Sequence, residues 1–164
     1  MEEKEKIFAR IAKKLSQLHF TYVGMDTSRP WGGYFVIDES QAADFAKHYF
    51  PEEDFSTLRI TQKLSPKILI VAPHKRLSWQ YHHRRAEIWK CIGKPVGVVT
   101  SDDDTERHQH TLHKGDVIKL RQGERHRLTG LEDWGIVAEI WQHTNPAKPS
   151  DEDDIIRVQD DFGR

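Results

Sequence analysis

From about Leu58 onward the chain is a succession of short apolar or alternating runs, each closed by a turn signal. The runs are KILIVA, LSWQYH, EIWKCI, VGVVT, RHQHTLH, VIKL, HRLTG and GIVAEIWQ. Between them stand Pro73-His74, Gly93-Lys94-Pro95, Ser101-Asp102-Asp103-Asp104, Lys114-Gly115-Asp116 and Gln122-Gly123-Glu124, residues that favour tight turns. Many short strands with frequent turns predict a sandwich or barrel, not a parallel sheet with helical crossovers. The tail PSDEDDIIRVQDDFGR opens acidic and ends in one more strand-like piece. Neither a repeat of solenoid length nor a low-complexity linker interrupts the pattern.

Ahead of this region the periodicity changes. Between Glu2 and Leu18 the apolar residues fall at Ile7, Phe8, Ile11, Ala12, Leu15 and Leu18, with charges between them, which predicts an amphipathic helix. A second helix is expected over Ser40–Tyr49, capped by Asp38 or Ser40, with Ala42, Phe45, Ala46 and Tyr49 inward. SRPWGGYFVID reads as a turn followed by a short strand.

A length of 164 residues suits one domain with a real core. The expected division is a helical and extended elaboration over 1–57 and a β-barrel core with a C-terminal strand over 58–164. Charges nearly cancel, 25 basic against 26 acidic, and no basic run dominates, so no nucleic-acid partner is expected. The lone Cys91 rules out an internal disulfide framework and fits a reducing compartment. The charged start MEEKEKIFAR lacks the apolar run of a secretory leader, and no segment has the length of a bilayer span. A cytoplasmic protein without a membrane partner is the expectation.

The chemistry concentrates in PHKRLSWQYHHRRAEIWKCIG. Gln80, His82 and Glu87 stand at Q-x-H-x4-E, and a lone His126 follows in GDVIKLRQGERHRL. Residues two apart on a strand share a face, so Gln80 and His82 can meet one ion. Glu87 is expected on the neighbouring strand after a short turn, and His126 on a third. One carboxylate, two imidazoles and an amide oxygen suit Zn²⁺, with Co, Mn, Ni and Fe as alternatives. His108, His110 and His113 form another H-x-H, but an acidic loop precedes them and no carboxylate returns at a fitting distance, so they read as a solvated outer face. Four of the five tryptophans, Trp79, Trp89, Trp134 and Trp141, are expected in the core or an interface, and the acidic cluster Asp151–Asp154 in a solvated loop.

These pieces resemble a known family. Gly115, Gly123 and His126 sit at the offsets of the second cupin motif, with Arg121 in place of its proline and Gly130 in place of its asparagine. Gln-x-His is similar to the phosphomannose isomerases, and the chain resembles the cupin domain of the bifunctional mannose-6-phosphate isomerase/mannose-1-phosphate guanylyltransferases. RPWGGY, KILIVAPHKRLSWQYHHRRAEIW, the His126 motif and EDDIIRVQDDFGR carry that resemblance. It implies an all-β cupin double-stranded β-helix, a jelly-roll barrel, with an N-terminal helical elaboration. It implies only the isomerase half, because no glycine-rich guanylyltransferase segment is present. The segment from Asp38 to Leu64 looks longer than the family's and is expected to reshape the pocket mouth.

The activity implied is metal-dependent isomerisation of a hexose 6-phosphate, mannose 6-phosphate to fructose 6-phosphate. Only Glu87 among the four ligands is charged, so a bound divalent ion keeps its Lewis acidity. Arginine forks suit phosphate, and Arg76, Arg84 and Arg85 lie beside the ligands, with Arg29, Lys67 and Arg164 in the matching blocks. Arg76, Arg84 and Glu139 are expected to bind substrate, and Arg85 and Lys67 to act in catalysis. The proton carrier is open among His83, Lys67, Glu139 and metal-bound hydroxide. A homodimer is expected. The rival readings are a non-catalytic sugar-binding or regulatory cupin and an Fe(II) cupin dioxygenase, the latter disfavoured by Gln80.

Overall fold

In the computed structural model, which describes residues 2–58 and 63–164, helices are confined to the first third of the chain. Helix α1 covers Lys4–Gln17, strand β1 Tyr22–Asp26 and β2 Gly32–Ile37; α2 covers Ala42–Tyr49 and the short α3 Phe55–Leu58. The remaining strands are β3 Lys67–Val71, β4 Trp79–Tyr81, β5 Arg85–Cys91, β6 Val96–Ser101, β7 His110–Leu112, β8 Val117–Leu120, β9 Arg125–Gly130, β10 Gly135–His143 and β11 Ile156–Gln159. One antiparallel sheet runs β1-β2-β3-β10-β5-β8, and a second runs β11-β4-β9-β6-β7.

Alternation along three strands builds two cores on one sheet. Ile68 and Ile70 of β3, Ile88 of β5, and Ile136, Ala138 and Ile140 of β10 turn to the back of the six-stranded sheet, where α1 and α2 pack on them. Leu69, Val71, Trp89, Cys91 and Val137 turn the other way and meet Val96, Val98 and Leu128 of the second sheet. Both faces of β3 and β10 are therefore buried, which explains why KILIV and GIVAEIW read as nearly continuous apolar runs. The same alternation points Lys67, Arg85, Glu87 and Glu139 into the space between the sheets.

α1 buries Ile7, Phe8, Ile11 and Leu15 on one stripe. It stops where His19 takes a left-handed φ of 63°, while the His19 N–H reaches the Ser16 carbonyl and the Phe20 N–H that of Leu15. This is the Schellman closure of a helix end. A 3₁₀ turn over Glu39–Gln41, capped by the Asp38 carboxylate on the Ser40 N–H, leads into α2. α2 buries Ala42, Phe45, Ala46 and Tyr49, the four residues expected to face inward.

The structure adds one strand and corrects one expectation. Strand β1 has no counterpart in the sequence reading, and with β2 it extends the six-stranded sheet from residues ahead of position 58. The described residues of segment 38–64 do not reshape the pocket mouth: the buried ones belong to the back core, and none lines the cavity between the sheets. No described helix is long and apolar enough to cross a membrane.

Candidate metal centre

The site forms where the two sheets face each other. β4 pairs with β9 and places Gln80 opposite His126, while His82 lies one residue past the end of β4. Glu87 comes from β5 in the other sheet, flanked by Trp141 on β10 and Leu120 on β8. It is thus not on the strand beside β4, as expected, but across from it, because the turn at His83-Arg84 carries the chain from one sheet to the other. Gly123, at φ 78°, holds the β8–β9 turn in a backbone conformation that favours glycine, and its N–H donates to the His82 carbonyl at 3.0 Å.

His82, Glu87 and His126 are all buried, and one ligand atom from each lies within 4.8 Å of the others. His82 Nδ1 contacts the Asp154 carbonyl at 2.6 Å, and His126 Nδ1 the Glu124 carbonyl at 3.0 Å. A carbonyl can only accept, so each Nδ1 carries the proton and each Nε2 presents a lone pair. Those lone pairs face Glu87 Oε1 at 3.6 and 3.1 Å; that of His82 also accepts from Arg85 NH2 at 3.3 Å, whereas His126 Nε2 has no hydrogen-bond partner among the described residues. Three acceptors converge with too few donors, which is the arrangement a cation resolves. The residues therefore fit a divalent metal, and this His–Glu–His group could hold one.

Charge states agree with that fit. Burial lowers the His82 pKa, and nearby Arg85 and His126 reinforce the shift against the pull of Glu87; a neutral imidazole is the ligating form. Burial alone would raise Glu87, but the Arg85 guanidinium beside it overcomes this and holds the carboxyl well below its usual range.

The positions expected to carry function divide into those that line the cavity and those that do not. Gln80, His82, Arg85, Glu87, Lys67 and Glu139 all line one cavity of about 420 Å³. Arg85 is committed to the protein: its Nε donates to Glu87 at 3.0 Å, its NH1 to Ser150 Oγ and the Asp151 carbonyl, and its plane lies 3.6 Å over the Trp141 ring. Lys67 pairs with Glu152 and faces the rings of Tyr34 and Trp141. Arg76 instead forks onto Asp161, and Arg84 pairs with Asp151 and Asp154; neither lines the cavity. They neighbour the ligands in sequence but turn away from them.

Glu139 accepts the indole N–H of Trp89 at 2.7 Å and of Trp141 at 2.9 Å. Burial, with the charge of Glu87 added, pushes its carboxyl up to about 7. His83, another proposed proton carrier, does not line the cavity. His108, just ahead of β7, and His110 at its start meet edge to face and are exposed, as expected of a solvated face.

Three features escaped the sequence reading. Trp31 and Tyr34 line the cavity, as does Arg157, which β11 sets opposite Gln80. The acidic tail is no mere solvated loop: buried Asp154 accepts the backbone N–H groups of His83 and Arg84, both at 2.9 Å, and the Ser150 hydroxyl at 2.6 Å. The i, i+4 spacing of Ser150 and Asp154 carried no signal of this.

The family model for the mannose-6-phosphate isomerase C-terminal matches residues 38–160. A mannose-1-phosphate guanylyltransferase of Sinorhizobium fredii is 30% identical over 148 residues, 90% of this chain and 22% of that protein. The mannose-1-phosphate guanylyltransferase ManC of Salmonella typhimurium is 25% identical over 164 residues, 100% of this chain and 28% of its own length. The chain thus spans 22–28% of the length of these relatives. Among solved structures, the capsular polysaccharide assembling protein CapF from Staphylococcus aureus aligns with a TM-score of 0.55 at 14% identity, over 83% of this chain and 31% of that one. Oxalate decarboxylase from Lactobacillus farciminis aligns at 0.53 and 15%, over 82% and 33%. Such identities speak for the fold alone, whereas the family match covers most of the sequence, the candidate ligands included. The chain belongs to the mannose-6-phosphate isomerase C-terminal family and has the cupin fold.

Proposed function

We propose that this chain is a metal-dependent aldose–ketose isomerase that interconverts mannose 6-phosphate and fructose 6-phosphate. The observation that carries the reading is the gathering of His82, Glu87 and His126, with ligand atoms within 4.8 Å of one another, beside a cavity that His82, Glu87 and Glu139 line. His82, Glu87 and His126, with the Gln80 amide oxygen, would hold the ion, and zinc suits that donor set. A divalent ion there supplies Lewis acidity for the carbonyl and for the charge that develops as the sugar enolises.

The chain's own residues do the rest. Glu139, poised near neutrality and held by two indole donors, takes the proton from C2 and returns it to C1. Lys67 offers a buried cation to the developing oxyanion. Arg85 keeps the Glu87 carboxylate in place and so acts as a positioning residue. Trp31, Tyr34 and Trp89 wall the cavity and limit access of water to the enediolate.

A regulatory sugar-binding role loses its main support, because the described residues of the 38–64 segment pack away from the cavity. Coupled turnover of mannose 6-phosphate, with zinc or cobalt added, tests the proposal in the wild type and in His82→Ala. Metal-dependent formation of fructose 6-phosphate that His82→Ala abolishes is expected; no turnover on the sugar phosphate with either metal would sink the reading.

A further inference from the structure

Among the described residues, Arg157 stands apart. Every other described arginine lies within ion-pair distance of a carboxylate; Arg157 has no such partner and no side-chain hydrogen bond. Its side chain is exposed, but its place is fixed by strand pairing. β11 pairs with β4 so that Arg157 stands opposite the candidate ligand Gln80, and both line the cavity.

Two more arginines border the same space. Arg29, on the turn before β2, is steadied by Asp26 at 3.0 Å and lies 5.7 Å from the Tyr34 ring centroid. Arg164 is fixed by Asp160 through bonds of 2.7 and 3.2 Å. Arg157 feels both: partial burial, then the charge of Arg164, and also that of Arg29, lower its pKa against the opposing charge of Asp160. Three guanidinium groups thus border one opening, two of them held in ion pairs and the third with its fork free to take an anion. The buried acceptors at the floor call for a cation, while the arginines share the lining with Asp153 and with Glu152, which pairs with Lys67.

We infer that Arg29, Arg157 and Arg164 form an anion subsite at the cavity mouth that takes the phosphate group of the substrate. This rests on the sugar-phosphate reading. The rigid fork of a guanidinium matches phosphate oxygens in pairs, and Arg157 reaches the anion without first breaking an ion pair. Phosphate held at the mouth leaves the C1–C2 end of a hexose 6-phosphate to enter toward His82, Glu87 and Glu139. The subsite thereby selects phosphorylated over free sugars and sets which end of the molecule reacts.

Calorimetric titrations of the zinc-loaded full chain with mannose 6-phosphate, free mannose and inorganic phosphate test this in wild type, Arg157→Gln and Arg157→Lys. Loss of a charge-assisted contact predicts that Arg157→Gln weakens mannose 6-phosphate about 10- to 100-fold. Arg157→Lys falls between, because it keeps the charge and loses the fork. Inorganic phosphate competes with mannose 6-phosphate in the wild type and poorly in Arg157→Gln, while zinc affinity is unchanged in all three.

Equal affinity of wild type and Arg157→Gln for mannose 6-phosphate overturns the subsite, as does an equal loss for free mannose. The two readings fail separately. Binding that depends on Arg157 without turnover removes the isomerase and keeps the subsite; turnover with an unaltered KM in Arg157→Gln removes the subsite and keeps the isomerase.

Discussion

The carbonyl of Asp154 accepts the Nδ1 proton of His82 at 2.6 Å, and the carboxylate of the same residue closes on the backbone of the next two residues. One residue of the tail thus sets both the tautomer of a candidate metal ligand and the turn that carries the chain from β4 to β5. Groups that orient a ligating imidazole commonly change metal affinity by about 10- to 100-fold when removed. Asp154→Ala frees the His83–Arg84 turn, so it is expected to weaken zinc binding by about that factor. Competition with a chromogenic chelator measures it, and an unchanged affinity would remove Asp154 from the site.

Asp154 also links the tail to acid stability. The carboxyl is pulled down to about 2: burial opposes the shift, and the Ser150 hydroxyl, the two backbone N–H donors and Arg84 overcome it. A carboxyl with a depressed folded pKa stabilises above its unfolded value and loses that contribution as pH falls through the folded one. Metal-free protein is expected to lose about 2 kcal/mol from this group between about pH 4 and pH 2. The loss is absent in Asp154→Asn, as denaturant unfolding across that window would reveal.

Glu139 gives the opposite sign. Its folded pKa of about 7 lies above the unfolded value of a glutamate, so its ionisation on raising the pH from about 4.5 to about 7 costs folding stability. As a base it must be ionised, so kcat is expected to rise with pH through a limb near neutrality. Zinc at Glu87 takes away part of the repulsion and moves that limb down. Glu139→Gln is expected to lower kcat by about 10²- to 10⁴-fold with zinc affinity retained. A pH–rate profile that keeps its limb in the variant would assign the proton transfer elsewhere.

Glu87 and Arg85 form a buried pair at 3.0 Å, and breaking a buried pair from one side costs about 3–5 kcal/mol. Glu87→Ala in metal-free protein is expected to be destabilised on that scale, and Glu87→Gln less, because its amide oxygen still accepts from Arg85. Both lose the thermal stabilisation that added zinc gives the wild type. Melting curves with and without zinc separate these effects.

Gly130 stands where the related motif has asparagine, and the structure supplies a steric reason. A Cβ there would sit 1.9 Å from the Ala72 carbonyl oxygen, a backbone atom that cannot move aside. Gly130→Asn, which restores the motif letter, is therefore expected to destabilise strongly or to fail to fold, as expression yield and denaturant midpoint report.

What the sequence made legible was local and periodic. Alternation disclosed the strands from β3 onward, and the apolar stripes disclosed α1 and the residues of α2 that face inward. Strand β1 was illegible because Tyr22, Val23 and Met25 are exposed: no buried face marks it, and its order comes from pairing with β2. At the site, the Q-x-H-x4-E spacing sufficed for the ligand candidates. Closeness in sequence misled for Arg76 and Arg84, whose partners Asp161 and Asp154 lie 85 and 70 residues further along the chain. Arg157 was overlooked for the converse reason, since it reaches Gln80 only through strand pairing. A spacing rule sees neighbours along the chain, while the cavity is populated by neighbours across the sheets.

The six-stranded sheet has an oily reverse and an ionic obverse. Because consecutive side chains on β3, β5 and β10 go to opposite sides, each can drift in sequence without consulting the other: the reverse answers to helix packing, the obverse to chemistry. Descendants of this scaffold are free to exchange their helical backing while keeping the reaction, or to change the reaction on an inherited backing.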